Sequence, residues 1–411
     1  MGDLRQSGAH VLRWPPREGS SPLTTGAARP LLFTPIDLRG VRAANRIVIS
    51  PMCQYSAEGG MPNDWHLVHL GRFATGGAGI VFTEATAVEA RGRITHGDLG
   101  LWDDAQIAAH RRITGFVKAH GARAGLQLGH AGRKASMQRP WFGNGPLDEH
   151  DIARGEMPWP IVGPSPVPVA EGWLVPHELT APEIAAVVHG FAAAAERAVR
   201  AGYDILEIHG AHGYLIHSFL SPVANRRTDA YGGGRKGRMR LALEASEAVR
   251  AAWPEDRPLF FRVSAVDGVG GGWSLEDTVA LARELKALGV DVIDCSSSGI
   301  GGAATAAGVR RQAGYQVPYA ETVRREAGIM TQAVGLITHP RQAEAILERG
   351  QADLIAIGRD ALQHPHWPRD AAEALGVDTA FELWPEQYGW WLSRRARSSD
   401  FYRDEAAGDR A

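Results

Sequence analysis

Residues 204–214 read Asp204-Ile205-Leu206-Glu207-Ile208-His209-Gly210-Ala211-His212-Gly213-Tyr214, a short apolar run that opens onto a polar, glycine-punctuated turn. Apolar, β-branched runs of this kind, each followed by a longer Ala-rich stretch of helical period, are the pattern of strands alternating with helices around a parallel sheet. Working outward from 204, eight such runs occur: Arg46 to Met52, Gly79 to Ala87, Arg123 to Leu128, Asp204 to His209, Leu259 to Ser264, Val290 to Cys295, Ala333 to Ile337 and Asp353 to Ile357. Eight strands with helices between them predict a closed (β/α)₈ barrel, the TIM barrel of the α/β class, because closure removes both sheet edges. The expected organisation is one barrel domain at 30–370, a flexible arm at 1–29 and a C-terminal extension at 371–411.

Two decorations are predicted. Leu32 to Asn45 reads as a hairpin, with Gly40 at the turn, that plugs the barrel bottom. The segment from Ser136 to Leu179 follows the third strand and is rich in Pro, Gly and Trp, with Trp141, Trp159 and Trp173. A loop of that length after a barrel strand stands at the catalytic face, where it is expected to act as a lid. A helical tail with Trp384, Tyr388, Trp390 and Trp391 follows the barrel.

The charge balance argues against large charged partners. Forty-four Lys and Arg face 46 Asp and Glu, a net charge of −2, so no strong field exists to attract nucleic acid or an anionic membrane. Cys53 and Cys295 are the two cysteines, far apart in sequence, which gives neither a disulfide framework nor zinc spacing. With no apolar run long enough for a signal peptide or a membrane span, a cytoplasmic protein acting on small molecules is expected.

Working residues of barrel enzymes stand at the C-terminal ends of the strands. The first strand ends Ser50-Pro51-Met52-Cys53-Gln54-Tyr55, which places a thiol and a phenol at the mouth. His209 and His212 stand three apart just past the fourth strand, where one turn aims both rings at one point. A metal site needs three or four ligands, and none of suitable spacing accompanies this pair. Two donors converging on a substrate oxygen is the better reading, since they stabilise the negative charge that builds there when hydride adds to the conjugated β-carbon. Tyr214 is then in reach to protonate the α-carbon. His66 and His69 share the spacing but fall on a predicted helix, and with His217 they read as structural.

A buried Arg262 at the fifth strand needs an anionic or carbonyl-rich partner. An isoalloxazine ring supplies one, and Gln127 on the third strand suits its pyrimidine side. Val334-Gly335-Leu336-Ile337 and Ile357-Gly358-Arg359 place glycines and an Arg after strands seven and eight, where barrels bind phosphate. No Rossmann fingerprint follows any strand, so a nicotinamide must visit the substrate's own pocket.

Together these residues resemble the old yellow enzyme family from about Leu32 to Leu362. Its hallmark is legible in His209-Gly-Ala-His212-Gly-Tyr214-Leu-Ile-His-Ser-Phe-Leu-Ser-Pro222 and in Asn225-Arg-Arg-Thr-Asp229-Ala-Tyr231-Gly-Gly233. Cys53 within its motif resembles the thermophilic-like branch, which includes xenobiotic reductases. The resemblance implies an NAD(P)H-dependent flavin oxidoreductase with tightly bound, non-covalent FMN and with NADPH or NADH as transient reductant. It implies reduction of activated C=C bonds of α,β-unsaturated carbonyl or nitro compounds by a ping-pong route. Position by position, it assigns FMN contacts to Pro51, Met52, Cys53, Ala85, Gln127, Arg262, Gly335, Gly358 and Arg359, and substrate contacts to Tyr55, His209, His212 and Tyr214. Cys53 would tune the flavin potential. Many members of this branch carry Gln-Tyr-x-Arg-Gly-Trp near their end. Here Gln387-Tyr388-Gly389-Trp390-Trp391 lacks that Arg, which implies a homodimer or higher homo-oligomer with Trp390 or Trp391 near the partner's pocket.

Three other readings are weaker. A dienoyl-CoA reductase or amine dehydrogenase needs iron–sulfur cysteines and a second nucleotide-binding domain that are absent from this sequence. A sugar-phosphate isomerase or aldolase needs a Schiff-base Lys, for which Lys134 is the only modest candidate. A non-catalytic FMN-binding protein has no evident use for His209, His212 and Tyr214.

Overall fold

The structure, a computed structural model, describes residues 29–301 and 309–396. The arm expected at 1–29 lies outside the described residues apart from its last position. In chain order the elements are β1 (Ile36–Leu38), β2 (Val41–Ala43), β3 (Ile47–Ile49), α1 (Asp64–Thr75), β4 (Ile80–Ala87), β5 (Leu99–Gly100), α2 (Ile107–Ala119), β6 (Arg123–Gly129), α3 (Glu149–Ala153), β7 (Val162–Gly163) and β8 (His177–Glu178). There follow α4 (Ala181–Ala201), β9 (Ile205–Gly210), α5 (Leu215–Leu220), α6 (Arg235–Ala252), β10 (Leu259–Ser264), α7 (Leu275–Ala287) and β11 (Val292–Ser296). The chain continues through α8 (Val317–Ala327), β12 (Met330–Ala333), α9 (Pro340–Glu348), β13 (Leu354–Ile357), α10 (Arg359–Gln363) and α11 (Trp367–Ala374).

Strands β3, β4, β6, β9, β10, β11, β12 and β13 pair in parallel, and β13 returns to β3, which closes the TIM barrel. β5 adds only to the end of β4. The seventh strand corrects the sequence reading. It is Met330–Ala333, because Gln332 and Ala333 pair with Leu354 and Ile355, and Val334 to Ile337 form the turn beyond it. Gly335 (φ 114°) and Leu336 (φ 53°) in that turn have left-handed backbone that no strand contains. The first strand is likewise shorter than predicted: it ends at Ile49, Ser50 still donates to the Ile357 carbonyl at 3.0 Å, and the chain beyond it is irregular, with Tyr55 left-handed (φ 50°).

The antiparallel hairpin β1–β2 closes the bottom. Ile36, Leu38 and Ala43 pack into one apolar cluster with Val48, Ile80, Phe82, Ile205, Phe260, Val292 and Leu354, the lowest inward layer of the barrel. Helices cover the outside. In α4, Glu183 accepts from the Thr180 amide at 2.7 Å at its start, and Gly202 (φ 86°) ends it in a left-handed turn. The face Ile184, Val187, Phe191, Ala194, Ala195 and Ala198 is buried against β6 and α6.

At the other end, the long connection between β6 and α4 carries α3, β7 and β8 across the barrel mouth. It is tied down by an ion pair between Arg139 and Glu156 (2.9 Å) and by Arg93 stacked over Trp159 (5.2 Å). α11 runs across the boundary expected at 370, with Trp367, Ala371 and Ala372 in the main core. A last helix at 386–396 leaves Tyr388, Trp390 and Trp391 exposed. No helix among the described residues is long and apolar enough to cross a membrane.

Phe191 is fully buried beneath α4, so Phe191→Ala should cost about 3–5 kcal/mol. Urea unfolding of the two proteins checks this, and a loss below about 1 kcal/mol would contradict the packing described.

Candidate active site

His209 ends β9, and the backbone N–H of Ala211 donates to its Nδ1 at 3.2 Å. An accepting Nδ1 places the proton of the neutral ring on Nε2, which faces His212 Nδ1 at 3.3 Å. His212 can turn back onto His209 only because its backbone is left-handed (φ 61°) and is followed by Gly213 (φ 77°). A Cβ on Gly213 would lie 2.2 Å from the Gly299 carbonyl, so no other residue fits. His212 Nε2 lies 2.7 Å from Ser296 Oγ, to which Gln316 also donates at 3.2 Å. The Tyr214 ring meets His209 edge-on, with centroids 4.9 Å apart.

Burial holds both imidazoles well below the ordinary histidine range, and the nearby Arg262 cation pushes the same way. They are therefore neutral near neutral pH, each with a single N–H, and here the N–H of His209 faces His212 Nδ1 while Nε2 of His212 faces Ser296 Oγ. Burial pushes the Tyr214 phenol and the Cys53 thiol up, with neighbouring Glu84 adding to the effect on Cys53, so both keep their protons. Tyr55 is shifted in the same direction by burial.

Cys53 and Tyr55 lie on the irregular segment after β3. Glu84, buried on β4, anchors that segment by accepting from the Gln54 amide at 2.7 Å. Cys53, Tyr55 and Tyr214 pack with Trp159 and Trp173 against the apolar cluster Ile94, Ala131, Ala135, Met137 and Ile161. Most of that cluster comes from the connection after β6, so this connection supplies the apolar surface against which the two phenols and the thiol pack, with His209 edge-on to Tyr214.

Adjoining the pocket is a cavity of about 330 Å³, lined among others by Ser50, Pro51, Met52, His212, Arg262, Gly335, Gly358 and Arg359. Gln127 on β6 and Ala85 at an irregularity in β4 complete the set named from sequence, and they lie in register with each other. Of the residues predicted from sequence, Pro51, Met52, His212, Arg262, Gly335, Gly358 and Arg359 line this one cavity, His209 and Tyr214 adjoin His212, and Cys53 and Tyr55 pack in the same cluster as Tyr214. Trp390 stands on the exposed helix 386–396, in a shallow surface depression away from the mouth.

Sequence reading missed residues that hold the site together. Lys134 donates to the carbonyl of His212 at 2.8 Å and to that of Gly299, and burial lowers its amine to about 7. The amine named as a Schiff-base candidate therefore clamps backbone. Glu207, Asp294 and Gln332 are fully buried on β9, β11 and β12. The signal available for them was a polar residue inside an otherwise apolar strand.

Comparison with known proteins agrees with this geometry. The model of the NADH:flavin oxidoreductase / NADH oxidase family matches residues 31–377. An NADPH dehydrogenase of Geobacillus sp. (strain WCH70) is 45% identical over 362 residues, which cover 88% of this chain and 98% of that protein. Among solved structures, morphinone reductase superposes with a TM-score of 0.69 at 27% identity, covering 85% of this chain and 91% of that one. A 2-naphthoyl-CoA reductase complex superposes with a TM-score of 0.74 at 22% identity, which shows the shared barrel. The match covers 84% of this chain and only 52% of that longer one.

His209 and His212 are held neutral, and so are buried His69 (lowered to about 3) and His110 (lowered to about 4), in each case chiefly by burial. The unfolded chain takes up protons on these rings near pH 6.5 while the folded chain does not. Stability should therefore fall as pH drops below about 6.5. Urea midpoints between pH 8 and 5 test this, and a midpoint that rises on acidification would contradict it.

Proposed function

Because the chain belongs to the NADH:flavin oxidoreductase / NADH oxidase family, the old yellow enzymes, and is an FMN-dependent NAD(P)H oxidoreductase, we propose that it reduces activated carbon–carbon double bonds. The observation that carries this reading is the pair of buried, neutral imidazoles, His209 and His212, packed with Tyr214 beside the cavity that contains Arg262. Two adjacent neutral imidazoles suit a carbonyl or nitro oxygen that gains negative charge during the reaction, which their N–H groups would bind in place of His212 Nδ1 and Ser296 Oγ.

The residues present fit FMN. Arg262 and Asp294 lie 3.0 Å apart but out of hydrogen-bond alignment, which leaves the Arg262 Nε–H for another acceptor. Ser50 Oγ and Glu207 Oε2 are likewise buried without a protein partner among the described residues. Such buried polar atoms need a group that hydrogen-bonds them. In this reading Pro51, Met52, Cys53, Ala85, Gln127 and Arg262 hold the ring system. Gly335, Gly358 and Arg359 hold the phosphate, where glycine lets backbone N–H groups approach and Arg forks onto oxygens. When bound, FMN supplies a carrier that accepts hydride from NAD(P)H and passes it to carbon.

This chain's own residues do the rest. His209 and His212 bind and orient the substrate oxygen, and the apolar wall of Ile94, Met137, Trp159 and Trp173 excludes water from the enone or nitroalkene. Tyr55 lines the same pocket. Tyr214 keeps its proton and gives it to the α-carbon on the face opposite hydride addition. Reductant and substrate share one pocket, so they bind in turn. Cys53, a protonated thiol at the mouth, tunes the flavin potential. A homodimer or higher homo-oligomer with exposed Trp390 near the partner's pocket completes the proposal. Truncation after Leu383 should therefore change the mass in solution or the substrate range.

Tyr214→Phe should slow enone reduction by roughly 100-fold while leaving reduction by NADPH nearly unchanged. Stopped-flow traces of the two half-reactions decide it, and equal slowing of both removes Tyr214 as the proton donor. Cys53→Ala should retain FMN but shift its midpoint potential, and an unchanged potential would take Cys53 out of the flavin's surroundings.

A further inference from the structure

Barrels of this type usually fill their inward layers with Val, Ile and Leu. Above the apolar bottom layer, five consecutive strands here instead turn polar residues inward. They are Gln127 on β6, Glu207 on β9, Arg262 on β10, Asp294 on β11 and Gln332 on β12, all buried. The register places Gln127 beside Glu207 on one side, and Arg262 beside Asp294 and Asp294 beside Gln332 on the other; between β9 and β10 it steps by two residues, with Glu207 opposite Phe260 and Arg262 opposite His209. Gln127 Nε2 donates to Glu207 Oε1 at 2.7 Å, and the other carboxyl oxygen has no protein partner among the described residues.

We propose that Glu207 is a positioning residue for the flavin: it takes one N–H of Gln127 and so fixes the face of that amide presented to the cofactor. The proposal rests on the reading of Gln127 as a flavin ligand. An amide has two N–H donors and one carbonyl acceptor, and its two orientations are nearly isosteric. With one N–H bound to Glu207, Gln127 keeps its carbonyl oxygen and one N–H for the ring, and a flavin edge needs both kinds of group in fixed order. Glu207 Oε1 can accept this N–H when the carboxyl is ionised and also when it is neutral with its proton on Oε2.

The charge count assigns the protonation state. These five residues hold two carboxyls and one guanidinium, and no second cation is paired with them among the described residues. Asp294 is in ion-pair contact with Arg262, and Glu207 carries the remaining carboxyl. Burial, with Asp294 nearby, pushes Glu207 above the ordinary carboxylate range. A neutral Glu207 leaves Arg262 and Asp294 to balance each other, and its O–H remains a donor.

Flavin release from the holoenzyme, followed by fluorescence, and the midpoint potential test this together. Glu207→Gln keeps a neutral acceptor for Gln127, so both quantities should stay within about twofold in affinity and unchanged in potential. Glu207→Leu removes the acceptor and should weaken FMN binding by about tenfold, the usual effect of one lost buried hydrogen bond. If Glu207→Leu yields no folded protein, Glu207→Gln alone decides: a changed potential overturns the neutral, positioning role. Gln127→Leu separates the two levels of the argument. If it weakens FMN binding while Glu207→Leu does not, the positioning role fails and the ligand role of Gln127 stands. If Gln127→Leu has no effect, the ligand role of Gln127 fails and this proposal falls with it.

Discussion

A closed ring of eight strands turns half of its side chains inward, and every polar group placed there must find a partner or carry the cost of desolvation. The arrangement of this molecule follows from how that cost is distributed along the barrel axis. At the bottom, Val48, Ile80, Phe82, Ile205, Phe260 and Val292 carry no polar atoms and are sealed by the hairpin β1–β2. One layer up, Gln127, Glu207, Arg262, Asp294 and Gln332 are only partly satisfied by one another. At the mouth, Tyr214, Tyr55 and Cys53 pack against an apolar cluster, and His209 and His212 stand beside Tyr214. The middle layer suits a flat, polar-edged ring above it, and the mouth suits a small unsaturated molecule above that ring.

Burial also determines the chemistry. Imidazoles in water would be partly cationic near pH 6.5, whereas those of His209 and His212 are kept neutral by desolvation and by Arg262. The same burial keeps the thiol of Cys53 and the phenol of Tyr214 protonated. Holding this geometry requires unusual backbone. His212 is left-handed, Gly213 admits no side chain, and buried Lys134 clamps the His212 carbonyl to the loop after β11. The clamp fixes the imidazoles in place, which is the preorganisation that their proposed role toward a developing charge requires.

Much of this was legible from residues alone, for identifiable reasons. Strands buried on both faces read as continuous apolar runs, and the His209 to Tyr214 turn announces its chemistry through a spacing that apolar packing does not require. The seventh strand was displaced toward Val334 to Ile337 because apolarity was taken as the strand, while the true strand contains buried Thr331 and Gln332. Glu207, Asp294 and Lys134 were not recognised as parts of the site for the same reason. A single polar residue in an apolar strand does not reveal its partner, and the partners stand 80 positions apart for Gln127 and Glu207 and 78 for Lys134 and His212. Local periodicity carries no information at that range, whereas barrel register does.

We propose that one pocket serves hydride donor and unsaturated acceptor in turn, with FMN as the hydride carrier. The most direct test is the visible spectrum of the holoenzyme in one anaerobic cuvette. Flavin absorbance should bleach on addition of NADPH and return on addition of 2-cyclohexenone, with the saturated ketone as product. Absorbance that bleaches with NADPH and stays bleached with enones and nitroalkenes alike, returning only with oxygen, would contradict the account.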